Sequence, residues 1–144
     1  MLNLKTAFAA ALVLGTASFA YADSQDPDVK NRQAAMKIVG ANTKTLGEMA
    51  QGKTAFDATA AQEAFNTIAG KAAEVPVLFE AEVTDPESDA ADEIWMMWDD
   101  FVEKAGALKA AAEAGAGVDS PEALGAAFGE MNGACRACHT QYKL

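Results

Sequence analysis

Four stretches of the chain repeat apolar residues in alternating steps of three and four, the spacing of one face of an α-helix. No alternating run of β-branched residues, which would predict a strand, occurs after the first 22 residues. The pattern therefore predicts an all-α fold, and four amphipathic helices with short connections pack most simply as an antiparallel four-helix bundle. The expected helices run from about Asp28 to Gln51, from Asp57 or Thr59 past Val75, from Ala91 to about Gly115, and from Ser120 to Tyr142.

Local signals refine the ends of these helices. Asp26-Pro27 and Ser120-Pro121 each place a capping side chain before a proline at the first helical position. Thr59-Ala-Ala-Gln62 resembles a capping box for the second helix. Pro76 lies inside the apolar pattern of that helix and is expected to kink or interrupt it. The third helix is expected to be continuous.

The fourth helix carries the chain's most informative motif, Cys135-Arg136-Ala137-Cys138-His139. Two cysteines three apart, with a histidine after the second, form the attachment pattern for a c-type haem. Each thiol can add across one vinyl group of haem to form a thioether, and the imidazole can supply an axial nitrogen to the iron. On a helix, positions i, i+3 and i+4 share a face. The motif predicts one covalently bound haem c, with His139 as an iron ligand.

Two other readings of the cysteines are open. A redox-active dithiol needs a helix that starts at its first cysteine, because the helix N-terminus lowers the thiol pKa. Cys135 instead comes late in a predicted helix. A structural zinc site needs four ligands, whereas the chain has only two cysteines and one histidine. Haem attachment is favoured over both.

Residues 1–22 have the features of a secretory signal peptide. Lys5 supplies a positive charge, an apolar stretch follows, and Ala20-Tyr21-Ala22 is a cleavage pattern before Asp23. The apolar stretch is too short for a membrane-spanning helix, and no later segment is long enough. We therefore expect residues 23–144 to form one exported domain, located in the periplasm and without a membrane span.

The formal net charge of −10 limits the partners of the protein. Removal of Lys5 with the signal peptide makes the remaining domain one unit more acidic. So acidic a chain is not expected to bind nucleic acid, whose backbone is negative. Such a surface keeps a small protein soluble and could steer it toward a basic redox partner.

The chain resembles the class II c-type cytochromes, which comprise cytochrome c′ and its low-spin relative cytochrome c556. In that family the haem motif lies near the C-terminus, as it does here, and the fold is a four-helix bundle. The resemblance extends over essentially the whole domain after the signal peptide. It rests on residues 32–36, Asp57, residues 93–95, residues 127–129 and residues 133–139.

The resemblance implies roles for further residues. His139 would be the proximal iron ligand, and the first helix would cover the opposite face of the haem. Arg32 and Gln33 match positions that contact the haem edge or its propionates, where a guanidinium can pair with a carboxylate. Asp89 matches another position at the haem edge. Lys143 lies one turn after His139, where the family often has a basic residue.

Met36 stands at the position that separates two functions of this family. In cytochrome c556 a methionine of the first helix coordinates the iron, which gives a low-spin centre suited to electron transfer. In cytochrome c′ the distal side chain does not coordinate, and nitric oxide or another small gas can bind the five-coordinate iron. Met36 is therefore predicted to be the distal ligand, and an apolar lid over the haem is the alternative.

These inferences predict a one-electron carrier with His/Met coordination that is not an enzyme. The alternative is a five-coordinate protein that binds a small gas. An unidentified redox protein is the expected partner. Family members commonly form homodimers through their first two helices, and this sequence leaves the oligomeric state open. Many inward positions are alanine, which buries little area, so the haem-free protein is expected to fold poorly.

Overall fold

The computed structural model describes residues 24–83 and 85–144. The signal peptide predicted at residues 1–22 lies outside these ranges. The described residues are helical and contain no strand, with one isolated antiparallel bridge between Ala90 and Lys143. The helices are α1 (Pro27–Ala50), α2 (Ala58–Leu78), α3 (Glu93–Met96), α4 (Trp98–Gly115) and α5 (Pro121–Tyr142).

The starts of α1 and α5 agree with the capping signals in the sequence. Asp26 accepts hydrogen bonds from the backbone N–H groups of Asp28 and Val29, and Ser120 accepts one from Ala123. These side chains satisfy N–H groups that have no partner within the helix. Proline follows each cap because its missing N–H is not needed there.

The second helix begins and ends differently from part of the prediction. Its N-cap is Asp57, which accepts from the N–H of Ala60, so Thr59 does not cap it. Gln62 does not complete a capping box, since its side chain donates to the carbonyl of Val118 at 2.8 Å. Pro76 does not interrupt α2, which continues to Leu78. Because Pro76 lies in the last turn, the helix gives up one late hydrogen bond and ends soon afterwards.

The predicted third helix is two helices, and this part of the prediction was wrong. Met97 separates α3 from α4 with φ −127° and ψ 44°, outside the helical region. Trp95 and Met97 each make a hydrogen bond with a residue that is distant in the sequence. Trp95 donates from its indole nitrogen to the carbonyl of Phe79 at 2.8 Å, and Gln141 donates to the sulfur of Met97 at 3.5 Å. The apolar periodicity continues across the break, so the pattern alone could not reveal it.

The four long helices form the predicted bundle. Helix α2 packs against α1 and α4, α4 packs against α5, and α5 returns to α1. The buried residues form two clusters. The large cluster, rich in alanine, fills the middle of the bundle and contains Val39, Leu46, Met49, Ala61, Ala64, Phe65, Ile68, Ala69, Ala72, Leu108, Ala112, Val118, Leu124 and Met131. The aromatic cluster lies near the end of α5 and contains Val75, Phe79, Ile94, Phe101, Ala105 and Tyr142.

The connection between α2 and α3 is hydrogen-bonded to α1 on one side and to the C-terminal end of the chain on the other. Gln33 of α1 donates to the carbonyl of Glu87 at 2.8 Å. At the other side, Ala91 donates to the carbonyl of Tyr142 at 3.1 Å, and Leu144 donates to that of Asp89 at 2.9 Å. Polar contacts of both long helices therefore hold this segment beside the C-terminal end of α5.

Candidate functional site

A cavity of about 340 Å³ lies between the first turns of α1, the end of α2, the connection before α3, and the last turns of α5. Its volume is within the range of small-molecule and cofactor pockets. The residues that line it are Val29, Arg32, Gln33, Met36, Phe79, Ser88, Asp89, Ala90, Ile94, Phe101, Cys138, His139, Tyr142 and Lys143.

The three chemically active residues of the motif lie near the end of α5. Cys138 and His139 line the cavity. Cys135, one turn earlier, is half-buried and packs against the large cluster, while Cys138 packs against the aromatic cluster. The two thiols thus lie at the boundary between the two clusters.

The thiols do not have the electrostatics of a redox-active dithiol. Burial raises the pKa of both Cys135 and Cys138, and for Cys138 the lowering influence of Lys104 is smaller than that of burial. A reactive cysteine pair needs the opposite shift, toward the thiolate. Both cysteines are also far from the N-terminus of α5, where a helix lowers thiol pKa values. The geometry therefore favours attachment chemistry over thiol–disulfide exchange.

The imidazole of His139 is exposed at one side of the cavity. Partial desolvation of the ring lowers its pKa, and the positive charge of Lys143 lowers it further. A lower pKa favours the neutral ring, which is the form that can donate an electron pair to a metal. The Nζ of Lys143 lies 3.0 Å from the Oδ2 of Asp89, and the two side chains form an ion pair.

Arg32 is the most constrained polar residue of the site. Its side chain is only 3% exposed, and its Nε donates to the carbonyl of Leu78 at 2.8 Å. One terminal nitrogen, Nη2, donates to the carbonyl of Ala81. The guanidinium carbon lies 4.8 Å from the ring centroid of Phe79 and 5.4 Å from that of Trp95. Cation–π contacts and hydrogen bonds therefore hold the charge at the cavity wall.

The other terminal nitrogen of Arg32, Nη1, is buried and has no hydrogen-bond partner. A buried donor without a partner is unfavourable by roughly 1–3 kcal/mol, more for a charged group. Burial also lowers the pKa of this guanidinium, against the opposing influence of Asp28 and Asp26. An anion bound in the cavity would supply both a hydrogen-bond acceptor and a compensating charge.

The remaining predicted residues also lie at the cavity. Gln33 and Asp89 line it, although each already has a partner, the carbonyl of Glu87 for Gln33 and Lys143 for Asp89. Met36 is half-buried, lines the cavity one turn after Arg32, and packs against the aromatic cluster. Met49 belongs to the large cluster, and Met96 is 76% exposed. Six of the seven predicted site residues thus share one cavity, and Cys135 lies beside it.

Several cavity residues were not predicted to be site residues. Phe79, Phe101 and Tyr142 belong to the apolar stripes, which signal burial but not which site a residue lines. Ser88 and Ala90 lie in the connection, where no periodic pattern exists. Their positions depend on how that segment packs against the end of α5.

These residues fit a haem group. The cavity wall is largely apolar and aromatic, as a porphyrin face requires, and it carries a cysteine and a histidine spaced for attachment and ligation. The orphan Nη1 of Arg32 offers a charged donor for a haem propionate.

The comparisons with known proteins agree with this site. The profile of the family described as Cytochrome C′ matches residues 28–143. Cytochrome c′ of Rhodopseudomonas palustris is 33% identical over 147 residues, which cover 99% of this chain and 97% of the relative. Cytochrome c-556 of Agrobacterium tumefaciens strain II Chrys is 33% identical over 119 residues, covering 81% of this chain and 97% of the relative.

A solved structure has the same architecture. The structure of cytochrome c′ from Rhodopseudomonas palustris superposes with a TM-score of 0.77 at 28% identity, covering 83% of this chain and 98% of that one. None of the helices in residues 24–83 and 85–144 has both the length and the hydropathy needed to cross a bilayer. The family match, the shared fold and the fit of the cavity lead to one conclusion: this chain belongs to the cytochrome c′ family, and it is a haem protein whose cofactor is haem c.

Proposed function

We propose that the protein is a periplasmic one-electron carrier whose haem iron is ligated by His139 and Met36. Cys135 and Cys138 hold the porphyrin through thioether bonds, and residues 1–22 are removed on export. In this proposal the protein transfers electrons and catalyses no reaction of its own.

The observation that carries this proposal is that Met36 and His139 line the same cavity from different helices. Met36 comes from α1 and His139 from the last turn of α5. A ligand pair from two separate helices can flank a flat group that enters between them. Thioether sulfur with imidazole nitrogen is an established ligand pair of c-type haems and raises the reduction potential.

The surrounding residues support electron transfer rather than catalysis. The bound haem supplies an iron that changes between the ferric and ferrous states by one electron. Phe79 and Phe101 exclude water from the cavity, because both rings are almost completely buried in its wall. Arg32 places a positive charge at that wall and offers Nη1 to a propionate. A ligand set that persists in both oxidation states requires little rearrangement during transfer.

A five-coordinate gas-binding protein is the second candidate. The relative that matches over 99% of the chain is a cytochrome c′ rather than a cytochrome c-556. Met36 is also only half-buried, and methionine is flexible enough to pack over a haem without ligating it. In that case the distal face would be open to nitric oxide or carbon monoxide.

The optical spectrum of the ferric holoprotein separates the two functions. His/Met ligation predicts a low-spin spectrum with a weak long-wavelength band from sulfur-to-iron charge transfer. Met36→Leu preserves the packing volume but removes the sulfur, so it should give a high-spin spectrum. Met49→Leu is the matched control, because Met49 lies in the large cluster away from the cavity. A high-spin wild-type protein would favour the gas-binding function.

A further inference from the structure

A second concavity lies on the outer side of the aromatic cluster. We call it the Trp cleft; it is open, has a volume of about 480 Å³, and is lined by Pro76, Val77, Glu80, Trp95 and Trp98. The end of α2 forms one wall and the α3–α4 junction forms the other. None of these five residues lines the haem cavity.

Large apolar side chains are exposed in the Trp cleft and next to it in the chain. Val77 is 73% exposed, and Met96, which follows Trp95 in the chain, is 76% exposed. Both tryptophans are half-buried, so part of each ring faces solvent. Tryptophan and methionine are enriched in protein–protein interfaces, and tryptophans often supply much of the binding energy.

Aromatic contacts join the Trp cleft to the haem cavity. The ring centroids of Trp98 and Phe101 are 5.7 Å apart, and Phe101 is one of the cavity-lining residues. Trp95 lies against the guanidinium of Arg32, which also lines the cavity. A molecule seated in the cleft would therefore be separated from the cavity by a single layer of side chains.

The charges at the cleft indicate which kind of partner would bind. Glu80 is exposed in its wall, and Glu93 and Asp99 are exposed near the two tryptophans in sequence. In residues 24–83 and 85–144, none of these three carboxylates forms an ion pair with a lysine or arginine. An apolar cleft with an unpaired carboxylate in its wall, that of Glu80, complements a partner that has an apolar centre and basic rim. A second copy of this chain would bring no basic rim to this cleft, because the chain is strongly acidic overall.

We propose that the Trp cleft is the docking surface for a basic one-electron redox protein, which deepens the proposed carrier function and rests on it. In the complex the reduced partner gives one electron to the ferric haem. The partner is oxidised by one electron and the haem is reduced by one, while no bond forms or breaks. Trp98 and Phe101 lie between the two centres.

Binding of the holoprotein to a lysine-rich class I cytochrome c, used as a probe, tests this surface. Glu80→Lys should raise the Kd at least about tenfold. Glu63→Lys, which has the same charge change on an exposed residue near the start of α2, should change it less than about twofold; the two sites are roughly 25 Å apart along the helix. Equal effects of both variants would overturn the proposal, because they would reflect net charge alone.

An uncharged pair of variants tests the apolar part of the cleft. Val77→Ser should weaken binding of the probe several-fold, while Ile38→Ser, at an exposed apolar residue of α1, should not. If both variants bind the probe as tightly as the wild-type protein does, the proposal is overturned. It would also be overturned if sedimentation showed a wild-type dimer that Val77→Ser dissociates, since the cleft would then join two copies of this chain.

Reduction by hexaammineruthenium(II), a small one-electron reagent, separates failure of docking from failure of the carrier function. All four variants should be reduced as fast as wild type, within about twofold, because the reagent does not need the cleft. A wild-type protein that hexaammineruthenium(II) cannot reduce, or that the one-electron oxidant ferricyanide cannot then reoxidise, would refute the carrier function itself. Normal reduction together with unaltered probe binding in Glu80→Lys would refute only the docking surface.

Discussion

The Nε of Arg32, in α1, donates a 2.8 Å hydrogen bond to the carbonyl of Leu78, the last residue of α2. The final carbonyls of a helix receive no hydrogen bond from an N–H group of the same helix, and they carry a partial negative charge. Helix α2 has no basic residue in its own last turn, so the cation that stabilises this end comes from α1. The same side chain lines the haem cavity. Arg32 therefore links the end of α2 to the site.

Replacement of Arg32 by methionine should destabilise the holoprotein by about 2–4 kcal/mol, because two charge-assisted bonds to backbone carbonyls are lost in a buried setting. Urea unfolding measures this change. Lys44→Met is the control on the same helix; its ion pair with Glu48 is exposed, and its effect should stay within about 0.5 kcal/mol. Equal effects would show that the buried contacts of Arg32 do not matter.

Gly115→Ala should destabilise the protein by about 1–3 kcal/mol through overpacking. A Cβ at this position would come within 2.5 Å of a ring carbon of Phe65, which is completely buried in the large cluster. Gly106→Ala on the same helix has no atom within 4 Å of the new Cβ. It should stabilise the protein by up to about 1 kcal/mol, the difference in helix propensity. Thermal unfolding of both variants checks these opposite signs.

The stability of the protein should fall as the pH rises from about 10 to about 12. Burial, together with the hydrogen bond that Tyr142 donates to Asp100, raises the pKa of Tyr142 to about 12, whereas an unfolded tyrosine titrates near 10. In this window the unfolded chain loses the proton first, so unfolding is favoured as the pH rises. Below pH about 10 the stabilising contribution is complete.

Urea midpoints measured from pH 8 to 12 test this dependence. Tyr142→Phe keeps the ring packing against Phe101, whose centroid is 5.3 Å away, but removes the titrating hydroxyl. Its midpoint should fall less steeply than that of wild type. Identical slopes would contradict the role assigned to Tyr142.

Protein without haem, made as the Cys135→Ser/Cys138→Ser double variant, should have less helix and a melting midpoint lower by on the order of 20 °C. The cause is the cavity of about 340 Å³, whose aromatic wall would lose its packing partner. Circular dichroism of the variant and of the wild-type holoprotein measures both quantities. A haem-free protein with native helix content and the same cooperative melt would contradict this expectation.

The helix boundaries show how far local signals reach. Asp26-Pro27 and Ser120-Pro121 predicted the starts of α1 and α5, because capping needs only neighbours in the sequence. The break at Met97 could not be predicted, since it accompanies contacts of Trp95 with Phe79 and of Gln141 with Met97. Such contacts join residues that are far apart in the chain and leave no periodic signal.

The site residues also fall into two groups: those that local spacing predicts, and those whose role depends on tertiary contacts. The cysteines and histidine of residues 135–139 identified the cofactor by spacing alone, because attachment chemistry depends on neighbours along one helix. The burial of Arg32 and its unpaired Nη1 depend instead on where the end of α2 lies. No residue type or spacing records that position.

The sequence by itself determined that the chain forms amphipathic helices, that a haem attaches near its end, and that its surface is acidic, because each property depends on composition or short spacing. Only the tertiary structure decided that the guanidinium of Arg32 is buried at the cavity wall with its Nη1 unpaired. It also decided that the connection before α3 lies against the end of α5. Both depend on packing between segments distant in the chain.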